Sequence, residues 1–104
     1  MKPTIGRIVH YIITEADSQA ISRRHVAKPH EASWPLGAQA HVGNPHSKGQ
    51  HVPMIVVVVW PNEWGPNFDG VNGQVLLDGN ESLWITSAKE GTDPGTWHWP
   101  EREE

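Results

Sequence analysis

A chain of 104 residues with a net charge of -4 is sized for one domain with a thin core, and it lacks the basic surface that DNA or RNA polymers require. It has no cysteine, which excludes disulfides and thiolate metal sites. Met1-Lys2-Pro3 leads straight into a strand-like segment with no apolar signal region, and no apolar stretch is long enough to span a bilayer, so the expectation is a cytosolic protein without a membrane partner.

Thr4 to Ile13 predicts the first strand. Ile5, Val9, Tyr11 and Ile13 fall on one face with Arg7, while Ile8 and Ile12 share the other with Gly6 and His10. Apolar residues on both faces imply a barrel strand or one covered on its outside. Thr14-Glu15-Ala16-Asp17 is a helix start with Thr14 as N-cap. The predicted helix contains Ala16 to Arg23, and Arg23-Arg24-His25 suits its C-terminal dipole. Val26 to Pro35 reads as a loop, Leu36 to Val42 as a second strand, and Gly43 to Gln50 as a turn-rich connection.

Met54 to Trp60 is the only long apolar run. Four consecutive valines disfavour a helix, because β-branching crowds the preceding turn. Pro61 stops the run, so it predicts a buried strand. Strict alternation places Val56 and Val58 on one face and Val57 and Val59 on the other, both mostly buried. A small sheet has one interior face, so burying the other calls for the helix, a loop or a second subunit; a homo-oligomer is expected.

Pro61 to Gly73 reads as a long loop packed by Trp64 and Phe68. Gln74–Leu77 and Leu83–Ser87 then form a hairpin across Asp78-Gly79-Asn80, where Gly and Asn tolerate positive φ. Ala88 to Gly95 is a turn region, and Thr96 to Trp99 a last strand with Trp97 and Trp99 on one face. The predicted fold is mainly β: a small, strongly bent antiparallel sheet or SH3-like barrel with one short inserted helix. Residues 1–104 form a single domain, with a flexible acidic tail at 101–104.

Three constellations bear on chemistry. His41, His46 and His51 are evenly spaced, with His25 and His30 upstream, and three imidazoles suffice for a zinc site with an open position. Their spacing crosses a Gly/Pro turn and matches no ligand motif, so they read as solvated loop residues, with no metal ligand and no cofactor assigned. The carboxylates are scattered over the helix start and the loops, and no catalytic set is legible. The third constellation combines Arg7, Arg23 and Arg24 with the flat faces of Tyr11 and Trp64 and the amides of Asn62 and Asn67. Guanidinium groups bind phosphate and bases stack on aromatics, so these seven residues are candidates for binding a compact nucleotide-like ligand. The competing reading leaves Arg23 and Arg24 as complements to a helix end and the tryptophans as core.

The segments IGRIVHY at Ile5–Tyr11, GQVLLDG at Gly73–Gly79, LWITS at Leu83–Ser87 and PGTWHWPE at Pro94–Glu101 resemble a family of small, mostly uncharacterised proteins of tailed bacteriophages. The resemblance implies action in the host cytoplasm or in a virion and transfers no catalytic residue. It adds to the residues a functional expectation: a non-enzymatic phage protein that sequesters a nucleotide-like signal of bacterial defence. The alternatives are a minor virion or assembly protein and a small histidine-metal enzyme.

Overall fold

The computed structural model describes residues 2–24 and 43–100. The elements are β1 (Ile8–Ile12), α1 (Glu15–Arg24), β2 (His51–Trp60), β3 (Gly70–Leu76), β4 (Ser82–Lys89) and β5 (Trp97–His98). The strands form one antiparallel sheet in the order β4-β3-β2-β1-β5. The sheet curls strongly into a half-barrel with one short helix, as the composition of the segments predicts. The predicted loop at Val26–Pro35, the strand at Leu36–Val42 and the tail at 101–104 lie outside the described residues.

The helix forms for a local reason. Thr14 Oγ1 accepts the backbone N–H of Asp17 at 2.9 Å, and the Asp17 carboxylate accepts the N–H of Thr14 at 3.0 Å. This is a capping box with Asp in the usual Glu position. Tyr11 Oη donates to the same carboxylate at 2.6 Å, which ties the helix start to β1. Ile21 is the one buried residue of the helix.

The valine run departs from simple alternation. Val56 pairs with Gly73, Val58 with Asn72 and Val59 with Val71, so the register shifts at Val57. Such a bulge sets two residues against one and reverses the facing beyond it. Val56 is buried, and Val59 packs against the same core; Val57 is 38% exposed. The expected pairing of Val56 with Val58 on one face is therefore corrected, and this chain by itself leaves Val57 partly open.

Two further expectations change. Gly70 to Gly73 read as loop because of their glycines and Asn72, yet they belong to β3. A Cβ on Gly73 would stand 2.5 Å from Met54 Cγ, so that glycine serves close packing of β2 on β3 rather than a turn. The Asp78-Gly79-Asn80 segment has no positive φ among its residues. It is held instead from the segment that precedes β2. The N–H of Asn44 donates to the carbonyl of Asp78 at 2.8 Å, and the N–H of Asp78 to His46 Nε2 at 3.3 Å.

The core lies on the concave face: Val9, Tyr11 and Ile13 from the first strand region, Val52, Met54 and Val56 from β2, Val71 and Val75 from β3, with Ile21 and Trp97. The other face of β1 carries Ile8, His10 and Ile12, and it is this outer face that assembles the site.

Candidate functional site: a three-histidine cluster

Register brings together histidines that are remote in sequence. His10 in β1 is directly opposite His98 in β5. Ile12 in β1 is opposite His51 at the start of β2, so His51 is the diagonal neighbour of His10 on the same face. The ring centroids lie 5.4 Å apart for His10–His98, 4.8 Å for His51–His98 and 6.5 Å for His10–His51. One ring nitrogen from each can be chosen so that all three lie within 4.8 Å of one another. Tetrahedral zinc ligands at about 2.0–2.1 Å from the ion stand roughly 3.3 Å apart, so a small contraction would make these three a coordination set.

The hydrogen bonds prepare the cluster for this. His98 Nδ1 lies 2.8 Å from the backbone carbonyl of Trp99, which can only accept, so Nδ1 carries the proton. That leaves the Nε2 lone pair of His98 facing the cluster, where the Nδ1–H of His51 donates to it at 2.9 Å. A backbone carbonyl that orients an imidazole and sets its tautomer is the usual outer-shell partner of a metal-bound histidine. Beside the cluster is a cavity of about 230 Å³, lined by Ile12, His51, Thr92, His98 and Trp99. The guanidinium of Arg7 lies 5.3 Å from the Trp99 ring centroid, and Trp97 meets Trp99 edge-on at 5.7 Å, so the wall of the cavity is braced from behind.

The residues expected to bind a nucleotide-like ligand do not converge. Asn62, Trp64 and Asn67 share the β2–β3 loop, where Asn62 and Asn67 adopt positive φ and the Asn62 side chain accepts the N–H of Asn67 at 3.0 Å. Trp64 is half exposed and its indole N–H donates to the carbonyl of Ser87 at 3.2 Å. Arg24 lies by the far end of β3, paired with Glu81 at 3.2 Å and donating to the carbonyl of Ser82. The seven residues of β3 separate the two groups by roughly 20 Å. Arg24 borders an open depression of about 720 Å³ with Leu76, Leu77 and Asn80, but its charge is already engaged by Glu81. Arg23 is exposed on the last turn of α1. Tyr11 offers no face for stacking, because its ring is in the core. Burial first, then the hydrogen bond to Asp17 and its charge, holds the Tyr11 hydroxyl well above the ordinary tyrosine range. Of the seven, Arg7 meets a wall of the cavity beside the cluster, at the Trp99 ring.

Of the evenly spaced histidines that lie among the described residues, His51 joins the cluster and His46 does not. His46 is buried and supports the β3–β4 connection, while His41, His25 and His30 lie outside the described residues. His10 and His98 were missed because each is a single histidine in its own strand. The available signal was their place on alternating strands at the two ends of the chain, which becomes informative once those strands pair. Comparison with protein-family descriptions, with curated proteins and with solved structures gives no match to this chain.

Proposed function

We propose that this chain is a small-ligand-binding protein whose site is a divalent transition metal held by His10, His51 and His98. The observation that carries the reading is the convergence of three imidazoles from three strands, one of them already oriented by a backbone carbonyl. Imidazole nitrogens suit Zn²⁺, Cu²⁺ and Ni²⁺, and three protein ligands leave coordination positions for a further molecule. Among the described residues no carboxylate joins the group, so the bound ion keeps its full positive charge and attracts an anion. The reading retains the idea of small-anion capture and relocates it from the scattered arginines to the outer face of β1, β2 and β5. The likeness of both chain ends to tailed-phage proteins supports a place for this capture in an infected bacterial cell.

Titration calorimetry with Zn²⁺ tests the proposal. One ion per chain should bind near neutral pH, and His98→Ala should weaken binding by at least a hundredfold with the circular dichroism spectrum unchanged. Equal affinity in the wild type and in both His10→Ala and His98→Ala would remove the site.

A further inference from the structure

The cavity next to the histidines adds a chemical identity to the ligand. We infer, resting on the metal-centre reading above, that the open coordination position takes the carboxylate of a small molecule with a single flat or branched apolar body. Three features define it. The cavity shares His51 and His98 with the cluster, so a ligand atom on the metal leads directly into it. Its remaining walls are Ile12, Trp99 and Thr92, which offer aliphatic and aromatic surface with one hydroxyl. Its volume, about 230 Å³, falls below the roughly 300–1,000 Å³ of sites for drug-sized molecules. A single ring or a branched chain fits, and a whole nucleotide does not.

Charge and shape then divide the work. A metal bound by three neutral imidazoles keeps a double positive charge, which a carboxylate partly neutralises. The apolar body covers the face of Trp99 that borders the cavity and rests against the already buried Ile12. Trp99 is fixed by its edge contact with Trp97 and by the Arg7 guanidinium over its ring, so the wall is formed before the ligand arrives. A preference of tenfold over a bare carboxylate requires only about 55 Å² of apolar surface removed from water.

Cobalt(II) reports on this directly, because its visible bands change when a ligand enters the coordination sphere. The protein is loaded with Co²⁺ and titrated with acetate and with benzoate. The expected result is a spectral change with both, and a benzoate dissociation constant at least tenfold below that of acetate. In Thr92→Trp, loaded in the same way, the added ring fills the cavity and the preference disappears. Equal constants for acetate and benzoate in the wild type, or no response to either once the Co²⁺ bands have formed, overturn the ligand class and leave the metal centre standing. Failure of the Co²⁺ bands to form overturns the centre itself, and the ligand class with it.

Discussion

His98 shows how one residue can be prepared by its own backbone. Its Nδ1–H is spent on the Trp99 carbonyl, so its Nε2 lone pair is committed to the cluster. Tyr11 makes the converse case, a polar group whose partner serves the fold. Its hydroxyl donates to Asp17, and its raised pKa comes from burial and from that carboxylate. The sign of its linkage follows. The folded state keeps the tyrosine proton above the pH where an unfolded tyrosine, near 10, loses it. The stabilisation is therefore full below pH 10 and is lost as pH rises further. Tyr11→Phe should remove this alkaline loss, which urea midpoints measured between pH 8 and 11 would reveal. At pH 7 the same change should cost about 1.5–3 kcal/mol, the value of a hydrogen bond to a charged acceptor.

At the scale of elements, α1 and the β2–β3 pair each depend on a feature that can be removed alone. Thr14→Ala deletes the acceptor for the Asp17 N–H and should lower stability by about 1 kcal/mol in chemical denaturation. Gly73 lies close against β2, and a methyl group there would press on Met54 and on the carbonyl of Ile55. Gly73→Ala should cost about 1–3 kcal/mol, as overpacking does in a filled core. An unchanged thermal midpoint would show that the strands can separate without loss. The bulge at Val57 matters in the same way. By shifting register it turns Val59 inward, which no count of alternating positions would predict.

At the scale of the whole molecule, the histidine cluster joins β1, β2 and β5, so metal binding should be felt as stability. At a hundred times its dissociation constant a bound ion adds about 2.7 kcal/mol. For a domain of this size that corresponds to a rise in Tm of roughly 10 °C or more. Scanning calorimetry at pH 7 with Zn²⁺ should show the rise and EDTA should reverse it. A rise that persists in the triple variant lacking His10, His51 and His98 would place the ion elsewhere. Among the described residues no helix is long and apolar enough to cross a membrane.

The elements themselves were legible because their causes are local. Thr14 and Asp17 are three residues apart and bond each other, and the β-branched run at Val56–Val59 excludes a helix wherever it is placed. Glycine was ambiguous, since the same residue marks a turn or a close approach, and at Gly70–Gly73 the neighbouring strand decided between them. The functional site lay beyond local reasoning. His10, His51 and His98 meet only through the pairing of β1 with both β2 and β5, and His51 and His98 are 47 residues apart. Strand register is a long-range property, set by which hydrophobic face is buried and where a bulge shifts it. The amino-acid sequence determined by itself the helix, the central strand and a mainly β fold, while only the tertiary structure decided which side chains share the outer face, because cross-strand neighbours are chosen by pairing and not by spacing along the chain.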